Sequence, residues 1–240
     1  MPDPIFDHPR LAAIYDAFDG PRDDLAAYVA IADEFAARHV LDVGCGTGCL
    51  AVLLAATGRV VTGVDPSAAS LEIARAKGGD GISYLHGDAT VVGPIGADLA
   101  VMTGNVAQVF VTDAEWTTTL RAVRSALRPG GHFVFETRRP AYRAWEEWAA
   151  DDARVTKDLP GIGPVEQSRE VTEVNLPYVS FRYTYHFHAD GAVVVSDSTL
   201  RFRDRPELEA TLTETGYRVL DVRQAPDRPD REYVFVTERP

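Results

Sequence analysis

The chain is short of cysteine, of positive charge and of long apolar stretches, and each shortage excludes a class of protein. Only two cysteines occur in 240 residues, Cys45 and Cys49, with no further cysteine to complete a metal site. They read as packing residues rather than as a disulfide or a zinc pair. The six histidines form no metal-ligand motif such as H-E-x-x-H, so no metal is expected. No apolar run approaches the ~20 residues that a membrane-spanning helix needs. The first residues, with Asp3, Asp7 and three prolines, lack the basic start and apolar core of a signal peptide, and a cytoplasmic protein is the expectation. Basic residues number 24 against 36 acidic ones, a net charge of −12. A nucleic-acid binder needs positive surface to displace counterions from phosphates, so neither nucleic acid nor membrane is an expected partner. Repeats and low-complexity segments are missing as well.

What is present is a globular composition, 45% apolar, long enough for one large domain or one domain with an insertion. From about Val40 to Thr137 short apolar runs alternate with amphipathic stretches, the pattern of a parallel sheet with crossover helices. Strands are predicted at Val40–Val43, Val60–Val64, Ile82–His86, Asp98–Met102 and His132–Glu136, with helices at Leu50–Ala56, Ala68–Ala76 and Ala114–Leu127. The last helix opens on Thr112-Asp113-Ala114-Glu115, a capping box, and stops at Arg128-Pro129-Gly130-Gly131. Leu25–Arg38 reads as a helix leading into the first strand, and the residues around Tyr15 as a further short helix and a loop.

After the fifth strand the period changes to two. Phe181, Tyr183, Tyr185 and Phe187 share one side, while Arg182, Thr184, His186 and His188 share the other. Asp190-Gly191 marks a two-residue hairpin turn. Pairing about it sets Phe187 opposite Val194 and Phe181 opposite Leu200 on Val193–Phe202. Glu166–Val174 is a candidate third strand. A helix at Pro206–Thr215 and two closely spaced strands, Tyr217–Val222 and Glu232–Thr237, complete the chain. The division expected is a helical cap at 1–39, a cofactor-binding core at 40–140, an inserted helix and sheet at 141–204, and the end of the core at 205–240.

Asp42-Val43-Gly44-Cys45-Gly46-Thr47-Gly48 places glycines where a strand turns into a helix, so a ligand can approach the backbone closely. The dinucleotide pattern G-x-G-x-x-G needs Gly or Ala at position 49, where Cys49 stands. No Lys follows the loop, which excludes a triphosphate site. Asp42 just ahead of the glycines would repel a pyrophosphate and suits a ligand with an ammonium group. Asp65 closes the second strand, where a carboxylate can accept from both hydroxyls of a ribose. Asp88, after the third strand, is placed to accept from an adenine amino group.

These motifs, with Leu127-Arg128-Pro129-Gly130-Gly131-His132-Phe133, resemble those of the class I S-adenosylmethionine-dependent methyltransferases, over roughly residues 38 to 137. The resemblance implies an α/β, Rossmann-like seven-stranded sheet of order 3-2-1-4-5-7-6 with strand 7 antiparallel, here carrying an inserted antiparallel β lid. It implies S-adenosylmethionine as cofactor, held by Asp42, Gly44, Gly46, Gly48, Asp65, Asp88 and Ala89. Asp42 would lie near the methionine amino group, and Asn105, near the fourth-strand tip, would face the cofactor as a further cofactor-binding residue. Tyr15 and Arg22 belong to a leading segment that covers the cofactor in small-molecule members, where an Arg can pair with the methionine carboxylate.

The expected reaction is transfer of a methyl group to a small-molecule N or O acceptor by in-line displacement. The layout resembles small-molecule methyltransferases, including those acting on amino sugars. Because that displacement mainly needs alignment, no catalytic residue is readable. Substrate candidates are Arg138, which with Glu136 and Arg139 flanks the fifth-strand tip, and His186 and His188, with Arg182, on the polar face of the inserted sheet. The aromatic face is expected to pack on the protein or on a partner subunit, the latter making a homodimer through that sheet. Trp145 and Trp148 read as core or lid packing. The alternatives are a non-catalytic S-adenosylmethionine-binding module and, disfavoured by Asp42 and Cys49, an NAD(P)-dependent oxidoreductase.

Overall fold

The structure, a computed structural model, describes residues 2–240. Four helices lead the chain, α1 (Pro4–Asp7), α2 (Pro9–Ala12), α3 (Tyr15–Asp19) and α4 (Leu25–Glu34). They are followed by β1 (His39–Val43), α5 (Cys49–Ala56), β2 (Val60–Asp65), α6 (Ala68–Lys77), β3 (Ile82–His86), β4 (Ala97–Met102), α7 (Asp113–Ala126) and β5 (Leu127–Arg138). Next come α8 (Ala144–Ala150), β6 (Val155–Leu159), β7 (Gly163–Asn175), β8 (Tyr178–Phe187) and β9 (Ala192–Arg201). The chain closes with α9 (Arg205–Glu214), β10 (Arg218–Ala225) and β11 (Arg228–Glu238).

Seven strands make the main sheet, in the order β3-β2-β1-β4-β5-β11-β10. β1 to β5 run parallel and β11 lies antiparallel between β5 and β10. Counting the main sheet alone, this is the expected 3-2-1-4-5-7-6 with an antiparallel seventh strand. The short apolar runs are buried on both faces, as parallel strands between helices must be. Trp116, Leu120 and Val123 of α7 and Leu208 and Leu212 of α9 cover one face, where Phe135 and Phe235 stack at 5.0 Å. Leu25, Tyr28 and Ile31 of α4 and Leu50 and Leu54 of α5 cover the other. Each such side chain contributes about 1.5–3 kcal/mol by leaving water.

Local signals set the element ends. Thr112 Oγ1 accepts from the Glu115 amide at 3.2 Å and Glu115 Oε2 from the Thr112 amide at 3.0 Å, the capping box that starts α7. Helix α4 stops four residues short of Arg38. Ala36 turns left-handed (φ 46°), the Ala37 amide closes on the Ala32 carbonyl at 2.9 Å, and Phe35 stacks on His132 at 3.8 Å. β5 begins at Leu127, earlier than predicted. The Gly130 amide donates to the Arg239 carbonyl (2.7 Å) and Arg239 returns a bond to Gly131 (2.8 Å), so the sheet claims the Pro-Gly-Gly turn.

The inserted sheet has four antiparallel strands, β6-β7-β8-β9. β6, rich in charge and without alternation, escaped sequence reading. The hairpin register differs from expectation by two residues, with Tyr185 opposite Val194, Phe187 opposite Ala192 and Val179 opposite Leu200. The connection is a four-residue loop rather than a two-residue turn. The Gly191 amide donates to the Phe187 carbonyl at 2.8 Å, and Asp190 accepts from the Ala192 amide at 3.1 Å. A shift of two preserves the faces. The aromatic face turns inward, where Tyr185 and Phe187 pack with Leu11 and Ile14 of the leading helices. Trp145 packs with Val179, Leu200 and Phe202, as expected of a packing residue. The face opposite carries Val193 and Val195, 52% and 40% exposed, and the pair Arg182–Asp197 at 2.7 Å. Among the described residues no helix is long and apolar enough to cross a membrane.

Candidate functional site

Three glycines take positive φ at the tip of β1, Gly44 at 71°, Gly46 at 52° and Gly48 at 78°. A Cβ on Gly44 would meet Val106, and one on Gly48 would meet Tyr84 and Ala74. Nothing stands within 4 Å of a Cβ on Gly46, so the middle of the loop faces open space. In β1, just ahead of the loop, Asp42 is only 1% exposed, and its Oδ2 has no hydrogen-bond partner. Burial, reinforced by the charge of Asp65, pushes the Asp42 carboxyl up to about 7. A carboxylate so placed lacks a cation, which is what a buried charge requires.

Asp65 has a job within the chain. Its Oδ2 accepts from the Gly46 amide and its Oδ1 from the Ser67 amide, both at 2.8 Å, so it braces the glycine loop against the β2 tip. Burial raises its carboxyl. Asp88 is exposed and caps a single 3-10 turn through the Thr90 amide at 2.8 Å, while Ala89 is buried behind it.

Asn105 follows β4 in a left-handed conformation (φ 60°), 3% exposed. The amides of Gly104 and Asn105 donate to Glu136 Oε1 at 2.5 and 3.2 Å, and the Asn105 side chain donates to Glu232 at 3.0 Å. Asn105 Oδ1 is buried without a partner. Tyr28 of α4 donates to the other oxygen of Glu136, and Arg228 reaches Glu232 at 2.9 Å. Burial, then the neighbouring Glu232, raises the Glu136 carboxyl. Tyr28, Glu232 and Arg228 escaped sequence reading, since residues 108 and 127 positions apart carry no mutual signal. The one hint was a glutamate in an otherwise apolar strand.

The leading helices sit over the loop. Thr47 Oγ1 donates to Asp16 at 2.6 Å, Lys77 pairs with the same carboxylate at 2.6 Å, and Ser67 and Ser70 both donate to the Phe6 carbonyl. Cys49 takes a contact from Lys77 Nζ at 3.1 Å, and Cys45 is buried beside Gly63, which suits packing roles. Arg22 is already paired, with Asp24 at 2.9 Å and Asp19 at 3.1 Å. Burial raises the Tyr15 hydroxyl far above its usual range.

A cavity of about 310 Å³ opens between cap, main sheet and inserted sheet. Tyr15, Arg22, Asn105, Arg138, Trp148 and Tyr183 are on its wall. His186 and His188 are not. Register puts His186, with Arg182, on the sheet's outer face, and His188 is exposed in the loop after β8, both away from the cavity. Their expected place at a substrate is therefore corrected. The aromatic face is the one turned inward, because it also buries against the leading helices.

The sheet order and the loop together are diagnostic. Residues 40–131 match the family model of a methyltransferase domain. The whole fold matches an S-adenosylmethionine-dependent methyltransferase of Clostridium acetobutylicum with a TM-score of 0.77, at 18% identity over 96% of this chain and 98% of that one. The fold is that of the S-adenosylmethionine-dependent methyltransferases. The chain is 34% identical over 107 residues to a ubiquinone/menaquinone biosynthesis C-methyltransferase of Rubrivivax gelatinosus, covering 45% of this chain and 42% of that protein. The matched part spans less than half the length of such curated relatives. Its fold also matches an amino pentose methyltransferase of Micromonospora echinaspora involved in calicheamicin biosynthesis, solved with its cofactor bound. That TM-score is 0.69, at 22% identity over 93% of this chain and 95% of that one. The match runs over nearly the whole of both chains, inserted sheet as well as core.

Proposed function

We propose that the protein moves the methyl group of S-adenosylmethionine to a nitrogen or oxygen of a small molecule held in the cavity under the cap. The observation that carries this is the buried, unpartnered oxygen of Asp42 just ahead of a glycine loop that opens to free space at Gly46. A cofactor with an ammonium group would supply the missing cation. When bound, S-adenosylmethionine supplies an electrophilic methyl group on a sulfonium.

The chain's own residues bind and align. Asp42 takes the ammonium group, and Gly44, Gly46 and Gly48 let the ligand lie on the backbone. Asp65 keeps a lone pair on each oxygen for ribose hydroxyls while bracing the loop, and Asp88 with Ala89 receives the adenine. Tyr15 and Arg22 close the site from the cap, and Arg22 would exchange one of its carboxylates for that of the cofactor. Asn105, its conformation held by Glu136 and Glu232, turns its free Oδ1 toward the acceptor end. Such positioning provides most of what an in-line displacement needs, and a near-attack distance of about 3–3.5 Å is the target.

Calorimetry with S-adenosylhomocysteine and NADH, then a turnover assay over small amines, phenols and acids, tests the proposal. Binding of S-adenosylhomocysteine together with its appearance during turnover is expected. Binding of NADH alone would overturn the cofactor reading, and cofactor binding with no turnover on any acceptor would favour a binding module.

A further inference from the structure

The far end of the cavity carries two arginines that are only partly paired within the chain. Arg138 ends β5 and Arg169 lies on the inner face of β7, opposite Tyr183. Their guanidinium carbons stand 5.1 and 5.7 Å from the ring of Trp148, and all three side chains line the cavity. The other two arginines of the wall are each paired with two acids. Arg22 has Asp19 and Asp24, and Arg228 has Asp227 and Glu232, both at 2.9 Å. Arg169 reaches Asp151 at 3.1 Å through one nitrogen, and its Nε is buried without a partner. Arg138 donates to the neutral Gln108 at 3.0 Å. Its nearest carboxylate, Glu232, is 3.9 Å away and already accepts from Arg228 and Asn105.

We propose that Arg138 and Arg169, set against Trp148, form an oxyanion-binding subsite, so that the acceptor is a flat molecule bearing a carboxylate or phosphate group. A half-buried guanidinium without a close anion is unfavourable, and a ligand that brings the anion reverses the sign. The planar fork of arginine suits both oxyanions, and the indole face holds the fork in place while leaving its edge free. The wall beside it is aromatic. Trp148 meets Phe181 at 5.6 Å, and Phe181 meets Tyr183 at 5.7 Å, both close to edge-on. Faces so arranged take up a flat ring more readily than a bulky aliphatic one. The inference rests on the methyltransferase reading for what the cavity receives, and it names the class of acceptor.

The test titrates benzoate, phenyl phosphate and the neutral isostere benzamide into the intact protein, followed by NMR. At least one anion should bind about tenfold or more tighter than benzamide. Arg138→Gln should abolish that preference, Arg138→Lys should retain part of it, and Arg169→Gln should weaken it. Thermal melts of each variant check the fold, and if Arg138→Gln does not fold, Arg169→Gln carries the test. Whichever anion binds tighter identifies the group as carboxylate or phosphate. Benzamide binding as tightly as both anions, no binding of any probe at about 10 mM, or an anion preference intact in both folded glutamine variants would overturn the subsite. A parallel titration with S-adenosylhomocysteine tells the two readings apart. Its failure strikes the methyltransferase proposal and leaves the anion preference to be judged on its own result.

Discussion

Glu136 holds Asn105 in place, one carboxylate oxygen accepting from the Asn105 amide and from that of Gly104 before it. The bond ties the tip of β5 to the loop after β4, and through Tyr28 it also ties in α4. Glu136→Ala would leave two amides and a hydroxyl without this acceptor, a loss of roughly 2–4 kcal/mol. Glu136→Gln keeps an acceptor and should stay within about 1 kcal/mol of wild type. Urea unfolding decides, and equal stability of all three proteins would show the tie to be idle.

Asp42 makes stability depend on pH. Its carboxyl lies near 7 in the folded chain against an ordinary 3.8. Between those values the folded state keeps a proton that the unfolded state has lost, so cofactor-free stability falls as pH rises through this window. The full effect is up to roughly 4 kcal/mol, and Asp42→Asn should flatten it. Thermal melts from pH 4 to 8 measure this, and an unchanged profile in the variant would refute it.

The same carboxyl should couple pH to cofactor affinity. An ammonium group beside Asp42 favours its ionised form, so binding near neutrality releases protons and tightens as pH rises through about 7. Calorimetry in buffers of different ionisation enthalpy counts those protons. Uptake of protons, or none, would speak against Asp42 as the ammonium partner.

Asp65 serves both loop and ligand. Asp65→Ala should weaken S-adenosylhomocysteine binding by roughly 1–3 kcal/mol and also cost stability, because the Gly46 and Ser67 amides lose their acceptor. Asp65→Asn should affect stability less. Unchanged affinity in the alanine variant would contradict a ribose role.

His186 and His188 sit outside the cavity, so replacing both with alanine should leave turnover within about twofold of wild type, the usual range for exposed positions. A large fall in kcat/KM would return the polar face of the inserted sheet to the substrate.

The strand order came only with the family resemblance, whereas the glycine loop, its neighbouring acids and the capping box were legible in the residues themselves. Each is encoded by residues adjacent in the chain or repeating at the period of one element, which is where backbone conformation is decided. The two faces of the inserted sheet were legible too, but their assignment to substrate was not. Alternation separates Phe181, Tyr183 and Tyr185 from Arg182, Thr184 and His186, yet it cannot say which face meets a cavity. That was decided by packing, since Leu11 and Ile14 bury against the aromatics and draw that face inward. Tertiary structure alone joined Glu136 to Tyr28 and Asn105 to Glu232, and left Arg138 beside Trp148 without a close acid. Hydrogen bonds and unbalanced charges between distant strands depend on where chains meet in space, and local sequence carries no record of it.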